Sequence, residues 1–425
     1  MSIHDRKTVA DPIMKTSPLV AALLCLPTVT AQQPDLLRLA SSEPRVIAYA
    51  KQLLGDPNPA PEEPGLRQLT VDAKQRVSVT AAQPLAEGRV VSLVIRPGDW
   101  MDRAQPAVAE IVTSLKTRLA ALGPLMGLPA QLGPQLVDEL AAILRATSEL
   151  RITIDEPGEG LDLSLTLLPK EQTGLAEWMS CLIAGQARTA LPADPDAALR
   201  MRVCLAPGRV AAAVAPFLDS YNALRTNPAD LAEARDDLAQ MVACFDGAFE
   251  VVADSDGMRM ALGLSDPPTH QRLMTSEAAM RRARERLASQ RIDVEYAPAA
   301  FRHRDIAPLR TTLLPDQPVE ALANSAGEVV SYTATVGDSW FSIVGSQGGE
   351  ESMIKAIDGV LDGKLFRPPT GTGTASDFLQ IQLGFSQLAN YVGAAADILS
   401  VGNFAGLQAT AARTGQQLQI QIKLR

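Results

Sequence analysis

Side chains suited to catalysis are scarce in this chain: 425 residues hold three His, five Tyr and three Trp. The nearest approach to a hydrolase motif is Gly345-Ser346-Gln347-Gly348-Gly349, which follows an expected strand and precedes an expected helix, as a nucleophile elbow does. The elbow also needs glycine two residues before its nucleophile, and Val344 stands there. The segment therefore reads first as a connector. His270 follows Pro267-Pro268 at a helix start, and His303 stands between Arg302 and Arg304. Both read as surface histidines, and no catalytic set is assigned.

Two loops imitate ligand sites without their full chemistry. Asp254-Ser255-Asp256-Gly257 opens like a calcium loop, but a bidentate acid must follow, and Met258–Leu264 alternates as a strand instead. It reads as a β-turn. Gly371-Thr372-Gly373-Thr374 lacks the lysine and the preceding strand of a phosphate loop. No metal site and no cofactor is expected. Cys181, Cys204 and Cys244 lie in apolar surroundings, and two readings stand for them: three buried thiols, or one disulfide with one thiol left over.

Charge is uneven. The net charge is −9, yet residues 272–310 carry nine arginines against five acids. Glu277, Arg281 and Glu285, four residues apart, suit a solvated helix with ion pairs along it. Arg282 and Arg286 are also four apart, but of like sign. With Arg302 and Arg304 they are the anion-binding candidates, suited to lipid headgroups or acidic glycans. Nucleic acid is not an expected partner of so acidic a chain.

The elements that must position these groups begin with a targeting segment. Lys15, the apolar run Leu19–Leu26 and the small residues Val29-Thr30-Ala31 read as a signal peptide over 1–31, with Met14 as an alternative start. The run is too short to span a bilayer, so no transmembrane helix is expected after cleavage. Export to the periplasm or the extracellular space follows. Residues 32–85 are expected to hold one helix near Arg45–Leu54 and an extended linker around the four prolines of 57–64, with the folded body starting near Leu85.

From Leu85 one order of elements recurs: a lead strand, one or two helices, a β-hairpin with strict alternation, and a closing helix. The hairpins are Leu150–Ile154 with Leu161–Leu167, Phe249–Val252 with Met258–Leu264, Val329–Thr335 with Trp340–Val344, and Leu407–Ala411 with Leu418–Leu424. Lead strands precede them at Val90–Arg96, Leu199–Leu205, Ile292–Tyr296 and Phe378–Leu383. Amphipathic stripes at Val108–Leu122 and Leu231–Phe245 supply helices. The expected fold is α+β, with antiparallel hairpins and lead strands in one or more sheets and helices packed on one face. It divides into diverged repeats at 86–185, 186–288, 289–364 and 376–425, with a Pro/Gly/Thr linker at 365–375.

The leading functional expectation is an exported, non-enzymatic protein with a binding or structural role in a bacterial cell envelope, partnered by envelope protein, lipid or acidic glycan. A periplasmic carrier of lipid or another apolar ligand is the alternative. A hydrolase acting through Ser346 is the third.

Overall fold

In a computed structural model the chain is described over residues 35–54, 65–72, 76–103, 109, 112–117, 132–156, 160–185, 191, 197–215, 236, 239–254, 257–289, 292–315, 327–345, 349–365, 377–385, 387–388 and 404–425. The expected signal segment, the proline stretch 57–64, Ser346, the 371–374 loop and parts of both amphipathic stripes lie outside these residues. Among the described residues the chain is mixed helix and strand, with sixteen strands that pair antiparallel. They divide into two compact units.

The first unit draws on Met1–Glu177, Ser400–Phe404 and Gln416–Arg425. Its strands are β1 (Leu37–Ser41), β2 (Arg67–Val71), β3 (Val77–Ala81), β4 (Arg89–Ile95), β5 (Thr147–Asp155), β6 (Leu161–Pro169) and β16 (Gln417–Leu424), in the order β16-β6-β5-β4-β1-β2-β3. Alternation of apolar and polar residues at period two decides which face is dry. Leu37 and Leu39 of β1 stand opposite Ile95 and Leu93 of β4, and Leu93 and Ile95 stand opposite Ile152 and Leu150 of β5. One buried cluster joins them to Ile47 and Ala50 of α1 (Pro44–Leu53), Trp100 and Met101 of α2 (Pro97–Arg103) and Ala141 of α3 (Leu132–Arg145). Pro97 begins α2, where its fixed φ suits the first turn and its missing N–H costs nothing.

The second unit draws on Trp178–Leu399 and Ala405–Gly415. It contains β7 (Leu199–Cys204), β8 (Phe245–Asp254), β9 (Gly257–Leu264), β10 (Ile292–Pro298), β11 (Leu309–Pro315), β12 (Val329–Val336), β13 (Ser339–Val344), β14 (Asp377–Gly384) and β15 (Gly406–Thr414), ordered β10-β11-β12-β13-β9-β8-β7-β14-β15. The helices α5 (Pro267–Thr275), α6 (Glu277–Ser289) and α7 (Gly349–Leu361) belong here, and α4 (Gly174–Cys181) spans the boundary between the units. Phe341 and Ile343 of β13, Val252 of β8 and Ala261 of β9 share a core with Met353, Ala356 and Ile357 of α7. Gly247 sits where the β8 register shifts, at φ +108, and a Cβ there would come within 2.1 Å of the Leu205 carbonyl oxygen. Only glycine fits both the backbone angle and the approach.

Each expected lead strand and hairpin strand of the body coincides with a strand, within a few residues at either end. Two expectations need correction. Residues 32–85 are more than a helix and a linker: β1, β2 and β3 all precede Leu85, and Leu37, Leu39, Leu69 and Val71 are core residues. Five-residue strands carry too little alternation to stand out beside a proline-rich stretch. Within the span expected as the third repeat, the strand beside the hairpin is β11, which pairs with β12, whereas the expected lead strand β10 pairs, among the described residues, only with β11. Among the described residues no helix is long and apolar enough to cross a membrane.

Candidate functional site

In the first unit, the face opposite the buried cluster forms a polar ladder four strands wide. Its rungs are set by register: Lys423, Asp162, Asp155 and Arg89 across β16, β6, β5 and β4; then Gln421, Ser164, Thr153 and Ser92; then Gln419, Thr166, Arg151 and Val94. Every one of these residues is half-buried or exposed, while Leu93, Ile152 and Ile154 between them are buried. Ion pairs brace the ladder's margins. Arg89 donates from Nε and Nη2 to the two Asp155 oxygens at 2.8 and 3.3 Å. That hydrogen bond raises the arginine's pKa further above its usual range. Arg425 reaches Asp162, and Glu149 accepts from Arg96 at 3.5 Å and from Arg151 at 2.5 Å. The central rungs are hydroxyls and amides, which can both give and accept hydrogen bonds.

The second unit buries charge instead. Glu250 on β8 is 1% exposed and stands opposite Arg202 of β7. Its Oε1 accepts from Arg200 Nε at 2.9 Å, Arg200 Nη2 at 2.6 Å and Arg202 Nη2 at 3.1 Å, and its Oε2 accepts the Leu191 N–H at 3.0 Å. A carboxylate so fully engaged is a clamp for the Leu191 backbone and has little capacity left to act as a base. Nearby, buried Asp254 is ion-paired with Arg259. That partnership and the pairing of Asp254 with Gly257 fit the β-turn expected at 254–257.

His270 is buried, which corrects its expected surface position. On α5 its ring lies 6.1 Å from that of Phe245 and 5.7 Å from that of Trp340, and its Nδ1 has no hydrogen-bond partner among the described residues. Burial pushes its pKa below the ordinary value and favours the neutral ring. Asp266 starts the helix, accepting the Thr269 N–H at 3.1 Å ahead of Pro267 and Pro268. His303 is half-buried and has an acidic partner, its Nε2 lying 2.8 Å from Asp358 of α7.

Of the four arginine candidates, Arg304 is committed to acids of α7, with Nε 2.8 Å from Asp358 and Nη1 2.6 Å from Asp362. Arg302 is exposed and lies 3.7 Å from Asp305. Arg282 and Arg286 lie on α6, where Arg282 is half-buried and has a partner, and neighbouring Arg284 covers the Tyr296 ring at 5.8 Å. Cys181, Cys204 and Cys244 are free thiols. Burial raises the pKa of Cys244, whose Sγ donates to the Gln240 carbonyl at 3.2 Å. Among the described residues no three His, Cys, Asp or Glu side chains are grouped to hold a metal ion.

The Glu250 clamp was readable in part. Leu199-Arg-Met-Arg-Val alternates arginine with apolar residues, and Glu250 is the one acid in Phe249–Val252. Pairing the two strands in register would have joined them. Compared with protein-family models, with characterised proteins and with solved structures, the chain matches none.

Proposed function

We propose that this chain is an exported, non-enzymatic protein of the bacterial cell envelope that binds a polar partner through an open sheet face. The observation that carries the reading is the four-strand ladder of hydroxyl, amide and charged side chains on β4, β5, β6 and β16. A sheet face of alternating donors and acceptors suits hydrogen bonding to a glycan or to an envelope protein. The signal-like segment over 1–31 supports export, to the periplasm or beyond the cell.

The body is read as a tandem of five diverged modules, each a lead strand and two following strands, with helices on one side of the sheet. The leads are β1, β4, β7, β11 and β14, and each pairs with the strand that follows it. The added module is β1-β2-β3. Such repetition multiplies surface, as expected of a scaffold.

Fractionation of the expressing bacterium and binding of the purified protein to isolated envelope glycan test the reading together. Expected are a mature chain starting at Gln32 outside the cytoplasm and binding that Ser164→Arg weakens at least tenfold without lowering the unfolding midpoint. A cytoplasmic chain retaining residues 1–31, or turnover abolished by Ser346→Ala, would overturn it.

A carrier of an apolar ligand is the second reading. It is favoured by Leu163, Leu165, Leu167, Ile420 and Ile422, which lie on the dry side of β6 and β16 yet are only half-buried. A native mass spectrum retaining a lipid-sized ligand would favour it over the first.

A further inference from the structure

We propose that the edge strand β3 pairs antiparallel with β3 of a second copy of this chain, so that the protein is a homodimer joined through its sheet. The inference rests on strand pairing in the individual units and is independent of the envelope reading. Among the described residues, the modules meet in two ways. Lead strands pair antiparallel with lead strands, β1 with β4 and β7 with β14. Closing strands pair antiparallel with closing strands, β6 with β16 and β9 with β13. Each junction is a local two-fold arrangement. The closing strand β3 ends the order of its sheet and pairs only with β2 among the described residues.

The end strands β10 and β3 differ in chemistry. β10, which ends the strand order of the second unit, carries Asp293, Glu295 and Pro298, charges and a proline of the kind that keep foreign strands away. β3 reads Val77-Ser78-Val79-Thr80-Ala81, without charge or proline, and four of its five residues are exposed. The nearest charge along the chain, Arg76, is turned back onto Asp72, donating from its backbone N–H and from Nε at 2.9 Å each, while Arg67 of β2 stands opposite Ala81. An uncharged, exposed edge rich in β-branched residues is a template for strand addition.

A second copy fits this edge in register. The Asp72 N–H bonds the Arg76 carbonyl, and the Ala82 N–H bonds the Leu66 carbonyl. Hydrogen-bonded pairs alternate along an antiparallel ladder, so Ser78 and Thr80 turn their backbone groups toward β2, while Val77, Val79 and Ala81 turn theirs to the free edge. A two-fold axis at Val79 sets Val79 against its own copy and Val77 against Ala81, closing about six main-chain hydrogen bonds. The same three side chains share the face of core residues Leu69 and Val71, so both dry faces continue across the junction.

Light scattering of the purified protein tests the pairing. Wild type is expected at twice the chain mass. Val79→Pro, which removes an edge donor that β2 does not use, and Ala81→Lys, at an exposed position, are each expected to halve the mass with circular dichroism unchanged. Because a proline could also unfold the strand, a third variant provides an independent readout. Val79→Cys is expected to form an interchain disulfide, since directly opposed hydrogen-bonded residues lie about 5.5 Å apart. Tyr49→Cys, at an exposed site on α1, is expected to form none. A monomeric wild type would overturn the proposal, as would a dimer that survives Ala81→Lys while Val79→Cys fails to cross-link.

Discussion

Glu250 is the residue on which the second unit's buried polar chemistry turns. Its Oε1 gathers two guanidiniums and its Oε2 holds the Leu191 N–H, so truncation removes four hydrogen bonds and leaves two cations facing each other. Breaking one side of a buried ion pair costs about 3–5 kcal/mol. Arg200 and Arg202 keep 18% and 22% exposure, which gives water some access, so the lower end of that range is expected for Glu250→Ala. Denaturant titration would read this as a lowered midpoint, and Arg202→Ala should cost less because Arg200 still neutralises the acid. His270 makes the opposite kind of prediction. Its folded pKa lies below the unfolded one, so it contributes stability above about pH 6.5 that is lost as pH falls toward the folded value. Between about pH 7 and 5 the wild type should lose stability by at most about 1.4 kcal/mol per pH unit from this group. His270→Phe should flatten that slope, and an unchanged slope would show that another group carries it.

Elements were legible where alternation was long. β6, β9 and β16 run eight or nine residues with a clear period of two, and their positions follow from sequence. β1, β2 and β3 have five residues each and β11 reads Leu-Arg-Thr-Thr-Leu-Leu-Pro, patterns that a linker could also present, so they emerge only from their pairing. The candidate ladder was half legible: Asp162, Ser164 and Thr166, like Gln419, Gln421 and Lys423, read as a wet face, but which strands stand side by side is a long-range fact with no local signal. The turn at 303–306 was not legible. His303 and Ile306 exchange backbone hydrogen bonds at 2.9 Å around Arg304 and Asp305, both at positive φ, 45° and 66°. Glycine is the usual residue for such a turn. The ion pairs of Arg304 with Asp358 and Asp362 help hold the turn against that preference, whereas the Asp305 side chain is 98% exposed. Asp305→Gly is therefore expected to stabilise the protein by about 0.5–1 kcal/mol, read as a raised unfolding midpoint, while Arg304→Gly should destabilise it.

At the scale of the whole molecule, scarcity of histidine and tyrosine first suggested binding or structure over chemistry, and the placement of the polar groups sharpens that reading. His270 is enclosed by rings, His303 and Arg304 face acids of α7, and Glu250 is saturated by donors, so each has a structural role in hand. What faces outward in quantity is the ladder of the first unit, braced at its margins by Arg89 with Asp155 and Arg425 with Asp162. In the proposed reading an exported chain binds a polar envelope partner through this face. Titration of the purified mature protein with isolated envelope glycan tests it most directly, with Ser164→Arg and the distant Tyr49→Ala compared side by side. Saturable binding is expected, weakened at least tenfold by Ser164→Arg and unchanged by Tyr49→Ala; no binding by the wild type, or equal binding by all three proteins, would overturn the proposal.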